Sequence, residues 1–424
     1  MKRTVVELFA GVGGFRCGLN HVKEIDEDGK AVEDNTWDFI WANQWEPSTK
    51  SQAAYDCYVE RFGFKSPKKD DIDNRDIALV NHKEDIPNHT LLVGGFPCQD
   101  YSVARSLSNE KGIEGKKGVL WWEIVKVLDA KEPPFVLLEN VDRLLRSPSD
   151  QRGRDFGVML KSFLMRGYAV EWRVINAAEY GFPQRRRRVF IFAYHKKTNY
   201  YKKMRKYLAK EIIFDEGLFA NAFPIKKEYL DELTENIFSN DIVDISNNFH
   251  FHFFNAGRMF LGDIRTYKVK PNYVCKEKTL GELLEKDFDE KYIIPKEKIG
   301  KWEDAKGSKK IDRVKPNGEP YKFSEGSIAF PDKLDRSART MLTSEGTTNR
   351  SSHIIGVDVE NDIYRILTPV ETERIQMFPD NWTNIESKAM TERRRYFMMG
   401  NALVVGVVER LGHYLKDIVD NEPE

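Results

Sequence analysis

Thr4-Val5-Val6-Glu7-Leu8-Phe9-Ala10-Gly11-Val12-Gly13-Gly14-Phe15 decides the fold. Its first six residues carry the β-branched and large apolar side chains of a buried strand. Glycines then supply a turn, and Phe15 to Val22 reads as a helix. Strand, glycine-rich turn and helix in quick succession open a βαβ unit. Glycines at that turn let a ligand approach backbone at a helix N-terminus. The spacing is not Gly-x-Gly-x-x-Gly and no Lys-Ser/Thr follows, so a dinucleotide fingerprint and a phosphate loop both fit poorly. A nucleotide-type ligand and a plain tight turn are equally compatible with the motif alone.

The same alternation continues outward. Asp38 to Ala42 predicts a second strand, Thr49 to Phe62 a helix, and Thr90 to Val93 a third strand. A helix around Leu120 to Ile124 and a strand at Phe135 to Leu138 follow. Phe156 to Arg166 then reads as a helix, and Ala169 to Asn176 and Arg188 to Ala193 as strands. Strands separated by helices predict a largely parallel α/β sheet covered on both faces. Near His195 the pattern changes to Lys, Asn, Asp and aromatics without clear alternation, which places a boundary there. We expect residues 1–195 to form one domain and a second, smaller one, mostly irregular and β, to follow from 196. Thr368 to Met377 and Asn401 to Leu415 predict helices, with Asn401 as an N-cap of the last. Phe249 to Phe254 predicts a structural strand with His250 and His252 on one face.

The chain has 424 residues, 41% hydrophobic and 32% charged, enough for a sizeable core in two domains. Lys+Arg and Asp+Glu both number 67, so any preference for nucleic acid must be local. Cys17, Cys57, Cys98 and Cys275 lie far apart with no Cys-x-x-Cys pair. That argues against a disulfide framework and a cysteine-based zinc site, and we expect no metal and a reduced, cytoplasmic setting. No apolar run approaches the ~18 residues of a membrane span, and a strand pattern from Thr4 leaves no secretory leader to expect.

Gly94-Gly95-Phe96-Pro97-Cys98-Gln99-Asp100-Tyr101-Ser102 ends the strand Leu91-Leu92-Val93. A cysteine at a rigid strand end suits a nucleophile, although a lone Pro-Cys is more often a buried turn residue. The loop from Ser102 to Gly118, with Arg105, two internal glycines and Lys116-Lys117, suits a lid over an anionic substrate or a plain surface loop. Glu139-Asn140-Val141 follows an apolar strand, so Glu139 is placed to hold a proton for a substrate or to sit at a helix N-terminus. In Asn176 to Val189, strand alternation sends Arg186 and Arg188 to one side and Arg185 and Arg187 to the other. One pair is then available for a phosphate and a carbonyl oxygen. After the second strand, Trp45 either stacks on an adenine or fills the core, and Glu46 or Gln44 offers a group for ribose hydroxyls. Asp76 is either an acceptor for an adenine amino group or a loop aspartate.

In this order, FAGVGGF, GGFPCQ, ENV, YGFPQRRRRV, RILTPVETERIQMFP and GNALVV resemble the motifs of the cytosine-5 DNA methyltransferases, over residues 4–195 and 339–415. The resemblance implies a large Rossmann-like domain that binds S-adenosyl-L-methionine and a smaller DNA-recognition domain, here 196–391, with 392–424 returning to the large one. It implies a cytosine flipped out of duplex DNA, with Cys98 attacking ring carbon 6 and Glu139 at ring nitrogen 3. Arg188 would contact the cytosine carbonyl oxygen, and Arg186 a phosphate or the closed loop. Phe9, Gly11, Gly13, Gly14, Trp45, Glu46, Asp76, Ile77, Pro97, Asn401 and Leu403 match cofactor positions. Gln99, Ser102 and Arg105 match positions facing DNA, and Arg258, Arg336 and Arg339, with Arg265, Lys268 and Lys270, are candidate contacts in the smaller domain.

Gln44 stands where the family commonly has an acid, and Ala402 where serine is frequent. Family habit further implies a monomer, bacterial and nucleoid-associated, that modifies the site of a partner restriction endonuclease without touching it. A tRNA cytosine-5 methyltransferase of the same fold and a non-catalytic DNA-binding relative are the rival readings. A Rossmann-type oxidoreductase leaves Pro-Cys-Gln unexplained.

Overall fold

The computed structural model describes residues 1–47, 49–96, 120–314 and 318–423. Its centre is a ten-stranded sheet. Five strands run parallel: β1 (Thr4–Leu8), β2 (Asp38–Asn43), β3 (Ile72–Asp73), β4 (Leu91–Gly95) and β5 (Phe135–Val141). Their order is β3-β2-β1-β4-β5, and the sheet continues β7-β6-β9-β10-β8. These are β6 (Tyr168–Asn176), β7 (Arg187–His195), β8 (Asp231–Asn236), β9 (Ala256–Phe260) and β10 (Asp263–Lys268).

The periodicity explains the layering. Val6, Leu8, Leu92, Val136 and Leu138 point to one face, against α3 (Leu120–Lys131) and α4 (Arg154–Met165). Val5, Leu91, Val93, Phe135 and Leu137 point to the other, against α1 (Gly14–Leu19) and the last helix. Both faces are therefore dry, as a parallel sheet requires. A third cluster joins Val12 and Cys17 to α2 (Ala53–Phe62) and to Met341, Trp382 and Met399. Trp382 is fully buried and its indole N–H donates to the Val12 carbonyl at 2.9 Å, tying the late chain to the glycine loop.

Four expectations need correction. Only half of the sheet is parallel: β7 pairs antiparallel with both β5 and β6. Residues 177–186 between β6 and β7 are fewer than the dozen or so that a parallel crossover needs. The sheet does not stop at 195, because β8, β9 and β10 extend it. Phe249 to Phe254 joins no ladder: its phenylalanines are buried and His250 and His252 exposed, so the alternation is real without a strand. Asn401 is not an N-cap. It ends α7 (Glu392–Asn401), and the last helix, α8, spans Val405–Asp420.

The later chain also holds α5 (Lys296–Lys306), α6 (Pro369–Gln376) and two separate strand pairs. These are β11 (Lys309–Val314) with β12 (Pro320–Glu325), and β13 (Ile354–Asp358) with β14 (Ile363–Ile366). Among the described residues no helix is long and apolar enough to cross a membrane.

Candidate catalytic and cofactor site

Parallel strands collect their chemistry at their carboxyl ends. Leu8, Gly94 and Leu138 stand in register across β1, β4 and β5, and Gly95 pairs with Glu139. A Cβ at Gly95 would lie 3.3 Å from Glu139 Oε2, so the glycine leaves that carboxylate its room. Arg188 enters from the antiparallel neighbour, paired with Val141. Its Nε lies 2.8 Å from Glu139 Oε1, and both side chains are mostly but not fully buried. A carboxyl group and a guanidinium thus share one edge. Asn140 is buried and donates from Nδ2 to the Phe96 carbonyl at 2.8 Å. It pins the backbone immediately before Pro97, a role its place beside Glu139 hinted at but its residue type did not state. Pro97, Cys98, Gln99, Ser102 and Arg105 lie outside the described residues.

The arginine block alternates as its sequence predicts: Arg185 and Arg187 are exposed, Arg186 is buried and Arg188 half-buried. Arg186 is bonded inside the fold. Its guanidinium donates at 2.9 Å to the carbonyls of Met341 and of Gly400. Burial and the neighbouring Arg188 push its pKa down to about 9, which leaves it charged at neutral pH. It ties the start of β7 to the end of α7. Beside it, Arg185 N donates to Ala338 O and Ala338 N to Pro183 O, a short parallel bridge.

At the other end of the row, the glycine loop holds Phe9, Gly11 and Gly13 at φ of 54°, 56° and 87°. Left-handed backbone at a non-glycine residue such as Phe9 is uncommon and marks a site worth a function. A Cβ at Gly11 would meet nothing within 4 Å, whereas one at Gly14 would strike Leu403 at 2.9 Å. Gly11 therefore fronts open space, and Gly14 is required for close packing against Leu403. Gln44 is buried and accepts from Gly11 N–H through Oε1 at 2.7 Å. Trp45 is 38% exposed, which excludes a core role. Glu46 has a buried Oε2 without a partner. Burial also raises its pKa above the ordinary carboxylate value, against the pull of Arg394. Asp76 Oδ1 caps the turn at Ile77–Leu79 by accepting from Ala78 N–H at 3.1 Å, and Ile77 is buried. An open glycine cradle, an exposed indole and an orphaned buried carboxylate oxygen fit a ligand with an aromatic base and sugar hydroxyls. The resemblance names such a group, S-adenosyl-L-methionine.

The candidate DNA contacts divide. Arg258 lies in β9, three strands from β5, and binds Asp263 Oδ2 at 2.9 Å at the turn opposite the catalytic end. Arg265 also pairs with Asp263. Arg339 forks onto Asp332 at 2.6 and 3.0 Å and donates to the Ser351 and Ser352 carbonyls. Each of these arginines is thus paired with an aspartate in the fold. Arg336 is exposed, bonded only loosely to Asp335 at 3.2 Å.

A mixed sheet with an open glycine turn at one strand end and a carboxylate–guanidinium pair two strands away is consistent with a Rossmann-like methyltransferase fold. The family model described as C-5 cytosine-specific DNA methylase matches residues 3–417, and the chain belongs to that family. It is a DNA (cytosine-5-)-methyltransferase, and DNA is its substrate. It is 50% identical to Type II methyltransferase M.Sau3AI of Staphylococcus aureus over 98% of this chain and 96% of that one. It is 25% identical to Type II methyltransferase M.DsaV of Dactylococcopsis salina, over 98% and 86%. The crystal structure of S. pombe Dnmt2 methyltransferase shares the fold, with TM-score 0.57, 15% identity and 99% of both chains covered.

Proposed function

We propose that the chain is the modification enzyme of a type II restriction–modification system, acting as a cytoplasmic monomer on one short DNA site that a partner endonuclease would cut. The observation that carries the chemistry is the Glu139–Arg188 pair. Cytosine presents its ring nitrogen 3 and carbonyl oxygen side by side, and a carboxyl beside a guanidinium matches that edge. Cys98 adds through its thiolate to ring carbon 6 of a flipped cytosine. The displaced electron pair moves through carbon 5 toward nitrogen 3, where Glu139 delivers a proton, while Arg188 holds the carbonyl oxygen. Carbon 5 becomes an enamine carbon and takes up a methyl group. Glu139 takes the nitrogen 3 proton back, water at the site removes the carbon 5 proton, and the electron pair of that C–H bond expels Cys98 as thiolate and restores the aromatic ring, so one difficult step becomes several easier ones.

S-adenosyl-L-methionine, when bound, supplies the methyl group. Phe9, Gly11, Gly13, Trp45, Glu46, Asp76, Ile77 and Asn401 would hold it, with Gly14 and Leu403 packing behind. Bisulfite sequencing of plasmid DNA from cells expressing this chain tests the reading. Protection at one short motif, lost with Cys98→Ala, is the expected result. Absence of protection in both samples, with soluble protein present, overturns it.

A further inference from the structure

β11 and β12 form an antiparallel ribbon of six cross-strand pairs, from Lys309–Glu325 to Val314–Pro320. Every residue of β11 is exposed, as are Pro320, Tyr321, Lys322 and Ser324 of β12. Ile311, Val314 and Tyr321 are 42%, 67% and 38% exposed, so the ribbon covers no core. A lone two-stranded hairpin is marginal in water. This one is held at its root instead. Arg350 donates to the carbonyls of Gly307, at 2.6 Å, and Gly326, and faces Glu325 at 3.4 Å. The adjacent Ser351 and Ser352 carbonyls are bound by Arg339, and Lys306 also reaches Ser352. Ala338, next to Arg339, bridges to Gln184, just ahead of Arg186 and Arg188. The ribbon therefore stands on the frame that carries Arg188.

Its two faces differ. Lys310 opposes Ser324 and Asp312 opposes Lys322 on one face, with Val314 opposite Pro320 at its far end. The other carries Lys309, Ile311, Arg313, Tyr321, Phe323 and Glu325, with Arg313 over the Phe323 ring at 4.0 Å. Two ammonium donors, one carboxylate acceptor and one hydroxyl are the group types that distinguish base edges. The major groove, about 12 Å wide, admits a two-stranded ribbon. We propose that the β11–β12 ribbon enters the DNA major groove with Lys310, Asp312, Lys322 and Ser324 toward the bases and sets the target sequence, Lys309 and Arg313 serving phosphates. This deepens the reading of the chain as a site-specific DNA methyltransferase and rests on it.

The test compares the full-length protein with Lys310→Ala/Lys322→Ala and with Asp312→Asn, which keeps side-chain shape. The readouts are the sequence context of methylation on random-sequence plasmid DNA, Kd for cognate and unrelated duplexes, and Tm. The proposal expects discrimination between the duplexes to fall about tenfold or more per lost contact. Asp312→Asn should relax or change one base pair of the motif, with Tm unchanged in both variants. Variants that keep the wild-type motif and kcat/KM overturn the ribbon assignment alone, as does a Tm loss that marks the ribbon as structural. A wild-type protein that methylates no DNA overturns the underlying reading, and the ribbon assignment with it.

Discussion

Arg188 Nε and Glu139 Oε1 stand 2.8 Å apart where the antiparallel half of the sheet meets the parallel half. The pair joins two strands whose directions oppose, so each side chain arrives from its own strand and neither needs a loop to position it. Glu139→Gln keeps the shape and removes the ionisable carboxyl. It should lower kcat by about 10²–10⁴ while leaving Tm within a degree or two. Arg188→Lys keeps the charge but loses the planar fork, and should also lose most activity. Steady-state kinetics with thermal unfolding checks both. Wild-type kcat in Glu139→Gln would sink the assignment.

Arg186 calls for the opposite outcome. Its guanidinium satisfies the Met341 and Gly400 carbonyls inside the fold. Arg186→Ala leaves both acceptors buried and unpaired, at about 1–3 kcal/mol each. The urea midpoint should drop markedly. A phosphate contact would instead reduce the salt slope of DNA binding by about one. We expect that slope, measured on the folded fraction, to stay as in the wild type. A flatter slope with an unchanged midpoint would return Arg186 to the DNA.

The sequence was legible where burial imposes a period. Val5, Leu91 and Phe135 on one face and Val6, Leu92 and Val136 on the other follow from alternation alone. It was least legible in β8, whose residues DELTEN form a polar edge strand with no apolar run to betray it. Edge strands are built that way to discourage pairing with other chains. Charge by itself does not show which partner an arginine takes. Arg258 and Arg339 look like free cations until the chain folds Asp263 and Asp332 against them. Glu139 at a strand end, Arg188 beside it and Gly11 in the turn stand where motif order led us to expect them, because that order carries information that a lone side chain does not.

The glycine-loop end separates Gln44 from Glu46. Gln44 is committed to the Gly11 N–H at 2.7 Å, while Glu46 Oε2 is buried without a partner. Glu46→Gln should weaken binding of S-adenosyl-L-methionine by tenfold or more, the usual size of a lost hydrogen bond to a charged group. Gln44→Ala should act through the loop and cost less, about 1 kcal/mol. Isothermal titration of both variants decides it. A large loss in Gln44→Ala beside wild-type affinity in Glu46→Gln would reverse the two roles.

Far from the site, burial pushes the Glu171 pKa up from 4.5 to about 8, against its hydrogen bond from Tyr200 and the pull of Arg173. Glu7, buried against Tyr58, is also raised to about 8. The folded chain therefore keeps protons that the unfolded chain releases. Below pH 4.5 both states are protonated and the difference vanishes. Between about 4.5 and 8 the unfolded state binds fewer protons, so stability falls as pH rises. The slope is at most about 1.4 kcal/mol per pH unit for each group. Glu171→Gln cannot ionise, so its unfolding free energy should decline less steeply than the wild type's across urea titrations from pH 5.5 to 8, and the variant should be the more stable of the two at pH 8. Parallel curves for the two proteins would mean that Glu171 is ionised in the fold, with Arg173 outweighing the cost of burying it.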